Sequence, residues 1–169
     1  MNTSRRHNLV LGIYPNTRGF AFTVFEGSLA PVDWGVIEIR GKNKNKQCLQ
    51  RIAVMFGRYE PDALVLQDMS ERGTRRARRI RNLNEAIEVL AGTQNIRVFA
   101  YSRARVRQCF ESHGLTSKQS VAEAIAKHIP MFERFVPPLR KIWMSEDSRM
   151  GLFDAVALVL TFYQSSASS

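Results

Sequence analysis

The sequence predicts an α/β fold in which a mixed five-stranded sheet carries helices on both faces. Three observations point there: three consecutive strand-like segments at the start, an alternation of helix and strand through the middle, and two successive helical segments at the end. A meander that passes into alternating strands and helices makes a sheet that is neither all parallel nor all antiparallel, with the crossover helices covering its faces.

Each element has its own warrant. Residues 9–13 and 20–25 are short apolar runs around a turn that holds Pro15, Asn16 and Gly19, so they read as a hairpin. Phe20, Phe22 and Phe25 belong to the core of this hairpin, and Trp34 to that of the next strand, at 33–41, where Val36, Ile37 and Ile39 follow before Gly41. After the polar KNKNKQ, Leu49, Ile52, Ala53 and Phe56 recur at helical spacing up to Gly57. DALVLQDM is a short apolar strand between Pro61 and a Ser-Glu-Arg-Gly turn. RRARRIRNLNEAIEVLAGT sets Ile80, Leu83, Ile87 and Leu90 three and four apart, with Gly92 as the C-cap. IRVFAYS is the fifth strand, and a loop follows it. TSKQSVAEAIAKHI starts on Thr116 or Ser117 as N-cap and stops before Pro130. A proline-bearing connector at 130–138 leads to the last helix, roughly 148–163. The expectation is one domain over 1–169, with its core at about 8–163 and a flexible tail at 164–169.

Composition narrows the class. No apolar run approaches the ~20 residues that span a bilayer, and MNTSRRHN is too short and polar for a signal or transit peptide. Cys48 and Cys109 have neither a partner motif nor metal-ligand spacing, so they read as reduced thiols of a cytoplasmic protein. Lys and Arg number 25 against 15 Asp and Glu, a net charge of +10 and a pI near 10.3. That excess favours a polyanionic partner, with solubility alone as the plain alternative.

Four stretches carry a resemblance. LVLGIYPNTRGFAFTVF (9–25), PDALVLQDM (61–69), VFAYSRARVRQCFESHGLTSKQSVAEAI (98–125) and LFDAVALVLTF (152–162) resemble, in order and spacing, the RuvC family of Holliday-junction resolvases. The implied fold is ribonuclease H-like. Members of that family cut DNA with two magnesium ions held by four carboxylates: one at the end of the first strand, one in the fourth strand, and two on the last helix. Hard divalent ions set close together need several anionic oxygens around them. The resemblance puts these four positions on Tyr14, Gln67, Gly151 and Asp154, and only Asp154 is acidic. A phenol with a pKa near ~10 is neutral at pH 7 and a poor magnesium ligand. The metal site implied is therefore degenerate, with no cofactor expected.

A rebuilt site is the alternative, with Asp68, Asp147 and Asp154 as candidate ligands and magnesium as the ion. Asp68 is one strand residue off position and would need a bulge to turn inward. Asp147 precedes Asp154 by two helical turns and reads more simply as a cap or first-turn acid. Asp154 itself reads as a partner for a nearby arginine.

Basic residues match the family better than acidic ones. Arg72, Arg75, Arg76, Arg78, Arg79 and Arg81 crowd into ten residues after the fourth strand. Cations at a helix start oppose its dipole, a local cost that a phosphate-binding role explains, and arginine suits phosphate by its planar fork. In resembling proteins this region lies beside the catalytic cleft. Arg103, Arg105 and Arg107 follow the fifth strand, and Lys118 matches the family's lysine in an Asp-Lys-x-x-Val stretch. Without metals Lys118 could only bind phosphate, and an exposed first-turn lysine is its bland reading. His113 is a candidate base, though a lone loop histidine is ordinary.

The sequence thus describes a catalytically inactive RuvC-like protein that binds DNA, branched or double-stranded, through its arginines. The rivals are an active magnesium-dependent junction endonuclease with relocated carboxylates, and a protein-interaction module or accessory subunit. A homodimer through the helix at 77–91 and a protein partner stay open.

Overall fold

The computed structural model describes residues 8–70, 77–141 and 143–167. Five strands form one sheet: β1 (Val10–Asn16), β2 (Gly19–Phe25), β3 (Pro31–Glu38), β4 (Ala63–Gln67) and β5 (Arg97–Tyr101), in spatial order β3-β2-β1-β4-β5. The first three pair antiparallel, and β4 and β5 add in parallel beside β1. The mixed sheet expected from the sequence is the one observed.

Strand alternation sorts the two faces. Leu11, Ile13, Phe20, Phe22, Leu64 and Leu66 point to one side, and there α1 (Lys44–Tyr59) and α2 (Arg78–Thr93) cover them through Ile52, Phe56, Leu83 and Ile87. Val10, Tyr14, Ala21, Phe25 and Val65 point to the other. That side is covered by α3 (Arg103–Glu111), α4 (Lys118–His128) and α5 (Met150–Ala167). Helices therefore stand on both faces, and no helix among the described residues is long and apolar enough to cross a membrane.

Several boundaries differ from the sequence reading. The hairpin runs on through Tyr14 and Pro15 to a two-residue loop, Thr17 and Arg18, because Asn16 Oδ1 accepts from both Arg18 N and Gly19 N at 3.0 Å. Pro15 is tolerated inside β1 because the β1–β4 ladder ends at Gly12, so a missing amide there costs no ladder bond. Gly92 is not the C-cap of α2: the helix continues to Thr93, and Asn95 takes the left-handed backbone at φ 58°. The loop expected after β5 is helix α3, started by Ser102, whose side chain accepts from Arg105 N. The proline-bearing connector begins with a 3-10 turn, Pro130–Phe135, whose Phe132 is buried against Trp34. The tail expected to be flexible from 164 on is helical through Ala167, where Ser165 Oγ accepts from Arg105 Nη2 at 3.0 Å. Of the two N-caps read for α4, Ser117 is the one used, and a capping box with Ser120 reinforces it.

The apolar α5 crosses the sheet over β1 and β2, and Gly12 sets how close it comes. A Cβ on Gly12 would sit 2.6 Å from Val159 Cγ2 and 3.0 Å from the Ala155 carbonyl oxygen. Gly12→Ala should therefore lower stability by about 1–3 kcal/mol, the usual range for overpacking. Val159→Ala should cost less in that variant than in the parent, because it deletes the atom that the new methyl meets. Urea denaturation of the four-member cycle reads this; strict additivity would show that the contact does not limit the approach.

Candidate functional site

The site grows from strand alternation at the open ends of β1 and β4. Gly12 and Val65 are register partners, so Tyr14 and Gln67, each two residues on, stand level on adjacent strands and point to the α5 face. The first turn of α5 lies above them and supplies Gly151 and Asp154. All four positions border one cleft of about 870 Å³. Tyr14 and Gln67 are buried, at 9% and 7% exposure, and Gly151 is pressed against the hairpin tip. A Cβ on Gly151 would meet Asn16 Nδ2 at 3.0 Å and Ala21 Cβ at 3.4 Å.

The tip of the hairpin is held from below. Arg79, near the start of α2, donates Nη2 to the carbonyl oxygens of Asn16 at 2.9 Å and Thr17 at 3.3 Å, and Nη1 to Asn45 Oδ1 at 3.0 Å. Lys44 Nζ donates to the same Thr17 carbonyl at 2.9 Å. A charged donor on a carbonyl makes a stronger hydrogen bond than a neutral one, so the starts of α1 and α2 together fix the tip. Arg79, expected among the phosphate contacts, is instead committed to the protein's own backbone. On the far side, buried Asn84 donates to the Gln67 carbonyl at 2.9 Å and ties the end of β4 to α2.

Asp154 is 17% exposed and faces Lys118, the first residue of α4. Lys118 Nζ donates to Asp154 Oδ2 at 3.4 Å and to Glu146 Oε1 at 2.9 Å. The partner expected for Asp154 was an arginine; the structure gives it this lysine, because capping by Ser117 turns the start of α4 into the cleft. Asp147 is held by Arg149, which donates backbone N and Nε to Oδ1 at 2.9 Å and Nη2 to Oδ2 at 2.7 Å. The Arg149 side-chain hydrogen bond, with its charge and that of Arg18, pulls the Asp147 carboxyl down to about 2. Asp68 borders the cleft with no bulge, since it lies one residue past the end of β4, where alternation no longer binds it. Its carboxylate accepts from Ser70 N and Oγ, which lowers its pKa. Asp68, Asp147 and Asp154 do not come together: no three His, Cys, Asp or Glu among the described residues could hold a metal ion jointly.

The cations divide into groups. Arg103 and Arg107 are exposed and line the cleft from α3, on one helical face with Val106 and Phe110. Lys118 lines it from α4. Arg105 turns away to Ser165. Arg78 and Arg81 are exposed at the start of α2, outside the cleft wall. Arg72, Arg75 and Arg76 lie outside the described residues. His113 is exposed in the turn after α3 and is not among the cleft-lining residues. Sequence reasoning misses Arg18, which borders the cleft from the hairpin tip; its place in a two-residue loop after Asn16 was the available signal.

Neither a family model nor a curated protein matches the sequence. Solved structures do match the fold. Thermus thermophilus RuvC in complex with a Holliday junction substrate aligns over 96% of this chain and 98% of its own, with a TM-score of 0.67 and 19% identity. A second Thermus thermophilus RuvC structure aligns over 94% and 96%, with a TM-score of 0.61 and 24% identity. The yeast mitochondrial Holliday junction resolvase aligns over 96% and 82%, with a TM-score of 0.58 and 11% identity. The chain has the fold of the RuvC-type resolvases.

The donors at the four positions do not suit the two magnesium ions that the resolvase resemblance implies. Tyr14 offers a phenol, Gln67 an amide and Gly151 no side chain, while Asp154 shares its carboxylate with an ammonium. Within this resolvase fold the Asp147–Arg149 pair gives a pH test. Its carboxyl is depressed in the folded chain from 3.8 to about 2, so its contribution is complete above the unfolded value and lost as pH falls through about 2. Asp147→Asn keeps the backbone contact and removes the charge. Wild type should exceed the variant by less than about 1 kcal/mol from pH 7 to 4, because the pair is partly exposed. The gap should close toward pH 2 in denaturation midpoints; a gap unchanged at pH 2 would deny the ionic origin.

Proposed function

We propose that this chain is a catalytically inactive RuvC-like protein that binds double-stranded or branched DNA along the cleft. The observation that carries the reading is the Lys118 ammonium seated between Glu146 and Asp154, beside Tyr14, Gln67 and Gly151. With its carboxylates held by local partners such a cleft has no polycarboxylate centre to activate water between metals, and the exposed Arg103 and Arg107 on its wall are cations it offers to phosphates. Thermus thermophilus RuvC in complex with a Holliday junction aligns with nearly the whole chain, which supports branched DNA as the partner. The net charge of +10 supports it independently. Two buried free cysteines suit a cytoplasmic protein. A homodimer through α2 would cover Val89, which is 68% exposed on that helix. No cofactor is needed by this reading.

Purified protein should leave a four-way junction intact with magnesium or manganese. Incision that Asp154→Asn abolishes would replace this reading with that of an active nuclease.

Binding should be electrostatic, with affinity falling against salt at a log–log slope of about −0.9 per phosphate neutralised on duplex. The variant Arg18→Ala, Arg103→Ala, Arg107→Ala, Lys118→Ala, which removes the cations of the cleft wall, should shallow that slope by up to ~3.6 if each cation meets one phosphate. Lys42, Lys46, Arg51 and Arg58 are exposed on and beside α1, across the sheet from the cleft, and their removal changes net charge equally. Equal losses from the two sets would mean a diffuse field instead of a site. No binding by the wild type at low salt would favour the interaction module.

A further inference from the structure

Between the 3-10 turn and α5, three large apolar side chains near one another in sequence are exposed. Leu139 is 77% exposed, Trp143 79% and Met144 47%. Trp143 stands apart from the chain's other indole. Trp34 packs edge-on against Phe132 at 5.1 Å between ring centres, whereas the aromatic contact of Trp143 is the ammonium of Lys141, 5.1 Å above its ring. Arg140, three residues before it in sequence, is also exposed. Ser145 and Glu146, two and three residues on, line the cleft, so the Cα of Trp143 lies within ~7 Å of the Cα of a cleft-wall residue.

We propose that Trp143, flanked by Arg140 and Lys141, is a stacking site for an unpaired nucleobase at the mouth of the cleft. An exposed indole forgoes burial that Trp34 obtains, so its placement calls for an occupant with an apolar face. Two adjacent cations select an anionic occupant. A nucleotide has both features, a π-face for the indole and a phosphate for the cations, and every base has such a face. Bases in an intact duplex are stacked on one another and hide their faces, so the site would recognise bases freed at a branch point or in a single strand. This deepens the reading of the cleft as a DNA-binding surface and rests on it.

The test uses the full-length chain. In a Trp34→Phe background, where Trp143 is the sole indole, oligothymidylate should quench the emission. Trp143→Ala should weaken oligothymidylate binding by about 5- to 150-fold, the range of one base–aromatic stack of ~1–3 kcal/mol. Trp143→Phe should retain most of the affinity. Fully paired duplex should bind the alanine variant as it binds wild type, and a four-way junction with an unpaired gap should lose more than a sealed one. The salt slope on oligothymidylate should be unchanged by Trp143→Ala and shallower by ~0.7 with Arg140→Ala. Emission that stays constant while polarisation reports binding would overturn the stacking site and leave the DNA reading in place. Equal losses on duplex and single strand would overturn it too. Absence of binding to any of these DNAs by the wild type would remove the DNA reading and the stacking site together.

Discussion

The close approach of α5 to β1 is the constraint on which the site depends. Gly12 lets Val159 and the Ala155 carbonyl come within contact of the strand backbone, and a helix seated that low brings its first turn down beside Tyr14. With a side chain at position 12 the helix would ride higher, and Gly151 and Asp154 would leave the level of Gln67 and Tyr14. Burial of Phe153, Val156 and Val159 holds the helix down, so the force that packs the core also assembles the cleft. The hairpin tip then has only one place to go, and Arg79 and Lys44 hold it there through the Asn16 and Thr17 carbonyls.

Charge within the cleft follows from that geometry. Asp154 is drawn toward Lys118, Asp147 toward Arg149, and Asp68 toward the Ser70 turn. Each carboxylate has a local partner, so the acids do not combine into a field that would attract a divalent ion. Arg18, Arg103 and Arg107 line the same cleft. These three and Lys118 share the cleft with four carboxylates, Asp68, Glu146, Asp147 and Asp154, so its charges are mixed, with Arg103 and Arg107 on α3 left exposed on its wall.

Much of this was legible in the sequence. Apolar runs and turn residues located all five strands, and the RuvC resemblance grouped Tyr14 and Gln67 at one site, where the β1–β4 register sets them level. The same resemblance put Gly151 and Asp154 one turn apart on the last helix, and both border the cleft. What escaped was local chemistry with no apolar period. Helix α3 carries three arginines in nine residues, RARVRQCFE, and its apolar signal is confined to Val106, Cys109 and Phe110; Ser102 was the cap that would have revealed it. Pairing was harder still. The sequence reads Arg79 as one of six like cations, but Arg79 on α2 is hydrogen-bonded in both directions to Asn45 on α1. Only the α1–α2 packing decides which arginine turns inward. The contact of Lys118 with Asp154 likewise joins two helices 36 residues apart.

Those pairings explain why the four positions behave as a unit and why a single substitution would not convert one kind of site into the other. Gly151 faces Asn16 Nδ2 closely enough that a side chain there must displace it. Asn16 cannot move freely, because its Oδ1 closes the hairpin turn and its carbonyl is held by Arg79. Tyr14 fills the space beneath with an aromatic ring packed into the α5-side core, where a bare carboxylate would be costly without a cation beside it. The ammonium of Lys118 already supplies a positive charge to Asp154. Phenol, amide, glycine and lysine are thus mutually consistent: each occupies space, or answers a charge, that the others leave. In such a cleft Asp68, Glu146, Asp147 and Asp154 are answered by partners within the protein, while Arg103 and Arg107 remain exposed on its wall.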